Sequence, residues 1–597
     1  MDEPGRDVSG KEVSEWHIRR AALVGELRFC LISLVLMIPA MIPYLVHLLP
    51  TPGWRPTGFI QPDMASYMAN AREHFDNDRF QLLYGNPFSP SYATRSIYFQ
   101  PMTLVLGLAW RLSGRDPGLV FTMFGVLAAW SCARVAVALY REVVGLEAWP
   151  HWLGLLVFFW GGGLLVLAGL AHSLVTRGTL DQLDLFAFDP GDGWWFLSFG
   201  RNLIFPTEAL YHALFIGSIL CICKRRLRRA AVLALLTSIS HPFTGAELLA
   251  ILVAWAFLEV EFLRSRVIPR RFLVTLVGIL AFHGAYYLVF LRGFDEHRQL
   301  MEAWKIPWLL EASSFVPAYI LVGSLATWSF RRYPLARRYF ATPRNRLFLV
   351  WFLVAFAMAN HEFAIRPIQP LHFTRGYEWM ALFLMGANTL ITLFAALPRR
   401  LGIGPGALGI TLLVAILVLD NALWLARFPQ IALRFGRREQ EALCVQSPTG
   451  FRFSAGKGDL LHWTGFRISS DMDDLFEWMS GPENRGSLLL TRDPYLGYLA
   501  SVYTPLRSWV GHAFNTPNFP VRMAEVEDLF REGKIKDYWA GRTVLILFDR
   551  GSMPGQEPDW LKQRGSQQAF RNDSFQVFRI KPTERPIAGR NAGTVRF

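Results

Sequence analysis

The sequence FCLISLVLMIPAMIPYLVHLLP (residues 29–50) is followed, after a short polar stretch, by QPDMASYMANAREHFD (residues 61–76). The first stretch is apolar over a length that crosses a bilayer as a helix, for which about 20 residues are needed. The second stretch places an acidic residue, Asp63, just beyond that helix. An isolated carboxylate at a membrane surface is costly to bury, so we expect Asp63 to serve a function rather than to stabilise the fold.

The composition of the whole chain is that of an integral membrane protein. Its 597 residues are 52% hydrophobic, with a mean hydropathy of +0.25. Only 18% are charged, against roughly 25% in soluble domains. The net charge of +14 would suit a nucleic-acid partner, but the Lys and Arg residues cluster between apolar segments, as they do in cytoplasmic loops. We therefore attribute the charge to membrane topology and expect no nucleic acid.

Charge clusters between the apolar segments predict the topology. Basic residues before the first apolar segment make residues 1–28 a cytoplasmic segment, followed by a retained signal-anchor. Further basic stretches mark cytoplasmic loops at 224–229, 264–271, 331–346 and 398–400. About eleven crossings follow, which places the tail outside. They are expected near residues 29–50, 117–140, 150–172, 203–223, 229–241, 243–262, 272–292, 307–330, 347–364, 377–397 and 402–425.

Two features of this membrane part bear on its geometry. The segment 229–262 is too long for one helix and is interrupted at His241-Pro242, where the proline predicts a break. Residues 51–116 are predicted to form a large outer loop whose amphipathic helices lie along the membrane. One of them, 64–76, would begin directly after Asp63, where the helix dipole stabilises a carboxylate.

From about residue 426 the sequence becomes that of a small extracytoplasmic domain, residues 426–597. Apolar and amphipathic runs predict buried strands at 487–491 and 543–548, helices at 471–480 and 521–532, and an edge strand at 575–578. The fold class is therefore mostly α: a polytopic transmembrane helix bundle, residues 29–425, with a small C-terminal α/β domain. Cys444 is the only cysteine in the tail, so no disulfide framework is available there. Asn572-Asp573-Ser574 fits a glycosylation sequon, a triplet that also occurs by chance.

Motifs in the outer loop and in the tail resemble one known family. The loop carries Asp63, Tyr67 and Ala71-Arg72, followed by Tyr98-Phe99-Gln100-Pro101. The tail carries Leu496-Gly497-Tyr498-Leu499-Ala500, Val510-Gly511-His512, Asn515-Thr516-Pro517 and a helix ending in Asp528-Leu529-Phe530. Together they resemble the GT-C superfamily of polyprenyl-phosphate-sugar-dependent glycosyltransferases, which includes protein O-mannosyltransferases and the aminoarabinose transferase of lipid A. Many members have a paired acid, whereas Met64 follows Asp63 here, which leaves the cofactor unknown and a divalent metal an open question.

The resemblance implies that a sugar moves from a polyprenyl phosphate to an acceptor hydroxyl or amine at the outer membrane surface, by an inverting hexosyl or pentosyl transfer. This chemistry needs a carboxylate as general base and cations or a metal to stabilise the departing phosphate. Asp63 is the candidate base, and a helix N-cap is its alternative role.

The candidates for substrate binding are expected in outer segments: Tyr67, Arg72, Arg201, His241, Arg366, His372 and Arg375. Arginine can bind two phosphate oxygens at once, and Arg375 is favoured because a cation at the outer start of a helix has little topological reason to be there. Interfacial anchoring is the alternative for each arginine, and satisfying freed backbone is the alternative for His241.

Three further sets of residues have weaker assignments. Asp189, Asp192 and Glu208 are expected to be solvated or to cap loops, although any of them could supply the missing second carboxylate. Trp194-Trp195-Phe196 is either an interfacial belt, the simpler interpretation, or a platform on which a sugar stacks. His512 lies in a family-like context but has no assigned mechanism: it is either structural in the tail or closes over the active site.

Three functions compete at this stage. The leading one is a glycosyltransferase of the cytoplasmic membrane and cell envelope, with a polyprenyl-phosphate-linked sugar as donor and a lipid, glycan or protein as acceptor. A transporter is disfavoured because the sequence has no visible internal repeat and few charges in mid-helix. A non-catalytic membrane protein with the same fold stays open because the second acid is missing.

Overall fold

The computed structural model describes residues 8–50, 52–61, 63–75, 80–89, 96–179, 184–193, 195–304, 308–331, 333–434, 465–539, 541–550, 553 and 557–582. Predictions for Cys444, for Trp194 and for residue 76 lie outside these ranges, as does the side chain of Asp192. The described part consists of a long helical region followed by a smaller region built on a sheet.

Helices, most of them apolar, make up the larger share of the described residues. In order they are α1 (Val8–Met37), α2 (Ile42–His47), α3 (Met64–Glu73), α4 (Pro101–Ser113), α5 (Pro117–Val143), α6 (Trp149–Trp160), α7 (Leu165–Arg177), α8 (Pro206–Cys223), α9 (Leu227–Ser240), α10 (Pro242–Phe257), α11 (Arg270–Gly284), α12 (Asp295–Ala303), α13 (Ala312–Ser329), α14 (Tyr333–Tyr339), α15 (Pro343–Ala359), α16 (Tyr377–Leu401) and α17 (Ile403–Arg434). A short strand, β1 (Trp54–Pro56), lies between α2 and α3.

Seven helical segments of the described chain are long and apolar enough to cross a membrane: Leu23–His47, Pro117–Val143, Pro206–Cys223, Pro242–Phe262, Arg270–Gly293, Pro370–Leu401 and Ile403–Gln430. The pair α6 and α7, bent by 61° at residues 161–164, raises the number to eight if it counts as one span. The count of about eleven crossings therefore stays a prediction. α9 is 14 residues long, which at a rise of about 1.5 Å per residue falls short of the roughly 30 Å hydrocarbon core.

The proline break is confirmed. α9 ends at Ser240 and α10 begins at Pro242, with His241 extended between them. Residues 51–116, called the first outer loop after their predicted position, differ from expectation. Helix α3 of this loop was expected to lie along the membrane, but it does not. Most of its residues are buried in protein, and its alanines allow close packing: a Cβ on Gly107 of α4 would lie 2.7 Å from the Ala71 carbonyl oxygen. Helix α4 is apolar on both sides, since Val105, Leu108 and Leu112 are exposed while Met102 and Leu106 are buried.

The C-terminal region is an α/β unit, as predicted. Its elements are β2 (Arg467–Ser469), α18 (Ser470–Met479), β3 (Leu488–Thr491), α19 (Pro494–Tyr503), β4 (Arg507–Ser508), α20 (Phe519–Glu532), β5 (Val544–Asp549), α21 (Asp559–Gln563), β6 (Gln567–Arg571) and β7 (Phe575–Ile580). Five strands form one sheet in the order β4-β3-β5-β7-β6, with β3 parallel to β4 and β5, and β7 antiparallel to β5 and β6.

The prediction that 575–578 forms an edge strand is wrong. β7 lies between β5 and β6, and β6 forms the edge. The reason is that β6 is polar and half exposed, so its sequence carries little strand signal. The sequon Asn572 lies in the turn between these strands, where its amide group donates to the Asp471 carbonyl and accepts from the backbone N–H of Ser574 and Phe575.

Strand pairing joins the C-terminal region to the first outer loop. β1 pairs antiparallel with β2, which links residues more than 400 positions apart in sequence. Arg467 of β2 donates to the His47 carbonyl at the end of α2. Arg55 of β1 bonds to Asp116, before α5, and to Asp473 of α18. The outer loop is thus held between the helical region and the sheet.

Candidate functional site

A cavity of about 400 Å³ lies where the first outer loop, the helical region and the C-terminal region meet. Sites for small molecules have volumes of roughly 300–1,000 Å³, so the cavity can hold a sugar unit. Five of the eight residues proposed from the sequence line it: Asp63, Tyr67, His241, His372 and Arg375. Glu208 and His512 line it as well.

Asp63 faces the cavity from the start of α3. Its side chain caps no backbone N–H of that helix, so the helix-cap alternative gains no support. One carboxylate oxygen, Oδ1, lies 2.7 Å from Nε2 of His512, and Oδ2 accepts a 2.8 Å hydrogen bond from the Gln61 amide. The Gln61 side chain also accepts from the Asp63 backbone N–H at 2.9 Å. Asp63 is therefore a fixed carboxylate, and 49% of its side-chain surface is accessible.

The charge state of Asp63 follows from these contacts. Burial acts to raise its pKa, but the hydrogen bond and charge of His512, the hydrogen bond from Gln61 and the charge of Arg375 together lower the pKa below its usual value. Asp63 is therefore ionised at neutral pH and can accept a proton. The neighbouring hydroxyl of Tyr67 behaves oppositely, because burial and the negative charge of Asp63 raise its pKa. Tyr67 thus remains a hydrogen-bond donor.

Arg375 and Glu208 form a second charged pair in the cavity. The Arg375 guanidinium contacts the Glu208 carboxylate, and their side chains are 16% and 4% accessible. The same guanidinium lies 5.7 Å over the ring of Trp195. Arg375 itself has a φ angle of +21° and precedes Gly376 at +78°. A positive φ in a non-glycine residue is strained, and such strain is commonly found at functional sites.

Aromatic and imidazole rings form another wall of the cavity. The His372 ring lies 5.0 Å from Trp195 and is stacked 5.9 Å from Trp308. His241 stacks on Tyr211 at 4.6 Å, and its Nδ1 accepts from the Thr244 backbone N–H as the cap of α10. At the break His241 thus serves a backbone donor and not a carbonyl, while its ring faces the cavity. Trp195 is part of this wall as well, as the stacking alternative requires.

The structure places the other three candidates elsewhere. Arg72 donates to the Val502 carbonyl and lies 5.5 Å over Trp110. Arg201 is buried against Asp189, Asn421 and the Asp420 carbonyl. Arg366 is exposed in the loop before α16. None of these three lines the cavity.

The arrangement of side chains does not fit a bound metal. Within the described residues no three His, Cys, Asp or Glu side chains are grouped so that they could hold one. The two carboxylates of the cavity have other partners, since Asp63 is bonded to His512 and Gln61 and Glu208 is paired with Arg375. The chemistry proposed below therefore uses these side chains alone.

Two residues that line the cavity, Glu208 and His512, have partners that the sequence did not predict. Of the two roles expected for Asp189 and Glu208, solvation is wrong, because each is buried against an arginine. For Glu208 a signal existed: an acid in the first turn of an apolar helix is costly to bury without a partner. For His512 no sequence signal names the partner, since Asp63 lies 449 positions away.

No family model matches the sequence, and neither does any curated protein. Among solved structures the chain is similar to the oligosaccharyltransferase of Archaeoglobus fulgidus tethered to an acceptor peptide, with 10% identity and a TM-score of 0.43, covering 88% of this chain and 69% of that one. It is also similar to the archaeal oligosaccharyltransferase in complex with an inhibitory peptide and a dolichol-phosphate, with 12% identity and a TM-score of 0.37, covering 87% and 69%. Because the TM-scores lie below 0.5, the similarity alone assigns neither a fold nor an activity to this chain.

Proposed function

We propose that the protein is a membrane glycosyltransferase of the GT-C kind, which moves a sugar from a polyprenyl-phosphate donor to an acceptor on the extracytoplasmic face. Asp63 is its general base. The observation that carries the proposal is the position of Asp63: an ionised carboxylate, held by two hydrogen-bonding side chains, facing a sugar-sized cavity that also contains an arginine. Its motif in the first outer loop is the one that resembles the superfamily.

The chemistry requires one concerted exchange of bonds. Asp63 takes the proton from the acceptor hydroxyl or amine as the acceptor atom bonds to the anomeric carbon. The bond between the anomeric carbon and the phosphate oxygen breaks at the same time, and the polyprenyl phosphate leaves with the electron pair. Arg375 is the cation that stabilises the developing phosphate charge, since a fixed cation in a water-poor site acts strongly on it. Tyr67 and His372 position the sugar.

A lipid chain can approach the cavity along α11. Tyr286 and Tyr287, which follow that helix, line the cavity. The next residues, Leu288, Val289 and Phe290, are 56%, 71% and 48% exposed. An apolar surface beside a polar cavity suits a donor whose sugar enters the site while its polyprenyl chain stays in the membrane. We place the C-terminal region outside and the N-terminus inside on the basis of the charge distribution.

The test is sugar transfer by the purified protein with a panel of labelled polyprenyl-phosphate sugars, comparing wild type with Asp63→Asn. Asparagine keeps the shape of the side chain but cannot take the proton, so the rate is expected to fall by about 10²–10⁴-fold. Asp473→Asn is the control, since this exposed carboxylate pairs with Arg55 outside the cavity. It is expected to transfer at the wild-type rate.

Other results would contradict the proposal. Equal transfer by wild type and Asp63→Asn would move the base to another residue. Absence of transfer from every donor, in a protein that melts as one folded species, would favour a non-catalytic membrane protein or a transporter.

A further inference from the structure

A loop of the C-terminal region closes the cavity beside Asp63. His512, Phe514 and Asn515 all line it. The loop folds on itself, because the backbone N–H groups of Asn515 and Thr516 donate to the His512 carbonyl. These residues lie between β4 and α20, far from Asp63 in sequence.

This loop is fixed to both other walls of the cavity. The Asn515 carbonyl accepts a 3.0 Å hydrogen bond from Asn86 in the first outer loop. The Phe514 carbonyl accepts a 2.8 Å hydrogen bond from the Trp304 indole, which follows α12. His512 therefore reaches Asp63 from a backbone that is held on either side, and its position does not depend on the pair alone.

The ring of His512 is tightly enclosed. Its side chain is 9% accessible, and the ring lies 5.4 Å from Tyr498 and 5.9 Å from Phe514. Nδ1 is buried and has no hydrogen-bond partner among the described residues. Because a carboxylate can only accept, the hydrogen of the bond to Asp63 lies on Nε2 and is directed at Oδ1.

The two donors leave Asp63 able to act. A carboxylate has about four lone-pair positions, and His512 and Gln61 each use one, on different oxygens. The remaining lone pairs can receive the proton of an acceptor, while rotation of the carboxylate is prevented. A donor that bonds to the charged form also favours that form.

We infer that His512 is a positioning residue of the transfer reaction: its Nε2–H orients the Asp63 carboxylate and keeps it ionised, so that the C-terminal region completes the active site. The inference rests on the proposed function and adds to it a contribution from the C-terminal region. Other groups that act on Asp63 are Gln61, by a hydrogen bond, and Arg375, by its charge. Tyr67, Tyr495, Tyr498 and His372 also interact electrostatically with it.

The test compares His512→Leu, which removes the donor, with His512→Gln, whose amide nitrogen can reach the place of Nε2. The first readout is kcat/KM for transfer against pH. The second readout does not require the protein to be active. It follows, against pH, the carbonyl infrared band of protonated Asp63, which is identified by subtracting the spectrum of Asp63→Asn. His297→Leu is the matched control, because His297 is also buried and bonds to Tyr98 but not to Asp63.

The expected results have a defined sign. Removal of a donor from the charged form raises the pKa of Asp63, so in His512→Leu the acidic limb of kcat/KM and the infrared band both move to higher pH. Above this limb kcat falls by up to about 10²-fold, because the carboxylate is no longer held in the orientation for proton transfer. His512→Gln restores most of both readouts. In His297→Leu the acidic limb of kcat/KM and the infrared band of Asp63 stay at their wild-type pH values, even if the variant is less stable.

Two outcomes would overturn the inference. In the first, His512→Leu is folded, and both its acidic limb of kcat/KM and its infrared band of protonated Asp63 appear at the wild-type pH. In the second, His512→Leu and His512→Gln lose activity equally with an unmoved limb, which would mean a purely structural role. A moved band in a protein that transfers no sugar would overturn the glycosyltransferase proposal, and with it the role in transfer, while leaving the Asp63–His512 pairing established.

Discussion

Arg375 and Glu208 pose a question that their contact alone does not answer. Both are buried and face the cavity. A buried ion pair is weak evidence for stability, because desolvation of the two charges offsets their attraction. Glu208 lies in the first turn of an apolar helix, where an apolar residue would be less costly. The pair is therefore better explained by a requirement for a cation in the cavity, with Glu208 holding it in place.

Single and double substitutions separate these roles. Arg375→Gln leaves the Glu208 carboxylate buried without its partner and is expected to destabilise the protein by about 3–5 kcal/mol. The double variant Arg375→Gln, Glu208→Gln has no uncompensated charge and should regain most of that stability. It should not regain transfer, because no cation is left to stabilise the departing phosphate. Thermal unfolding in detergent and transfer rates measure the two effects.

The matched control is Arg346→Gln. Arg346 forms a buried pair with Glu259 through two hydrogen bonds, away from the cavity. Its loss should destabilise the protein to a similar extent but leave kcat of the folded fraction unchanged. If the double variant at 375 and 208 transferred sugar at the wild-type rate, Arg375 would serve only to neutralise Glu208.

Residue-level prediction from the sequence succeeded where a motif was local. Asp63 and Tyr67 lie four positions apart on one helix, so their proximity follows from sequence alone. The pairs of Arg375 with Glu208 and of Asp63 with His512 join distant segments, and no spacing rule reveals them. Arg72 and Arg201 were candidates because of their charge. In the folded protein Arg72 donates to the Val502 carbonyl and Arg201 pairs with Asp189, so both contribute to packing.

At the scale of elements, the loop between β4 and α20 depends on one close approach. A Cβ built on Gly511 would lie 2.3 Å from Cε1 of Phe88 and 2.7 Å from its Cδ1. Phe88 has no exposed surface, so its ring can yield only if the residues packed around it shift as well. Gly511 is therefore required for the first outer loop and the C-terminal region to approach closely at the point where His512 enters the cavity.

Gly511→Ala is expected to displace this loop and to carry His512 away from Asp63. A misplacement of about 1 Å in a catalytic arrangement can cost ~10²-fold in rate, so we expect a loss of that order in kcat/KM. Gly541→Ala is the control, because a Cβ there meets no atom within 4 Å. Transfer rates and melting temperatures of both variants check the prediction. Wild-type transfer by folded Gly511→Ala would mean that the loop adapts without moving His512.

The positions of helices and strands were easier to predict from the sequence than their burial and their packing partners. Apolar runs and the proline after His241 gave the positions of the long helices and of the break between α9 and α10, because these signals are local. They could not show that α3 is buried, since burial depends on what α4 and the C-terminal region place around it. The strand β6 was missed because its side chains are largely polar, so only its pairing with β7 identifies it.

At the scale of the whole molecule, the cavity exists only if three parts of the chain stay together. The first outer loop carries Asp63, the helical region carries Arg375, and the C-terminal region carries His512. A buried ion pair joins the loop to the C-terminal region directly: Arg507 of β4 and Glu73 of α3 lie 2.5 Å apart, with side chains 6% and 8% accessible. Because Asp63 precedes α3 and Glu73 is its last residue, this contact sets the position of the proposed base relative to His512.

Arg507→Met therefore tests whether assembly of the three parts controls the site. Methionine keeps an apolar stem but removes the hydrogen bonds that Arg507 donates to Glu73 and to the Asn86 carbonyl, which is expected to cost about 3–5 kcal/mol. Arg492→Met is the matched control, because its pair with Glu527 is nearly half exposed and such pairs contribute at most ~1 kcal/mol. Thermal unfolding of both variants in detergent, with transfer rates measured below the transition, separates the effects.

Arg507→Met should unfold at lower temperature and transfer more slowly even where it is folded, because α3 is no longer held against β4. If it lost stability but kept the wild-type rate, the loop would be positioned by the pairing of β1 with β2, and the ion pair would contribute to stability alone.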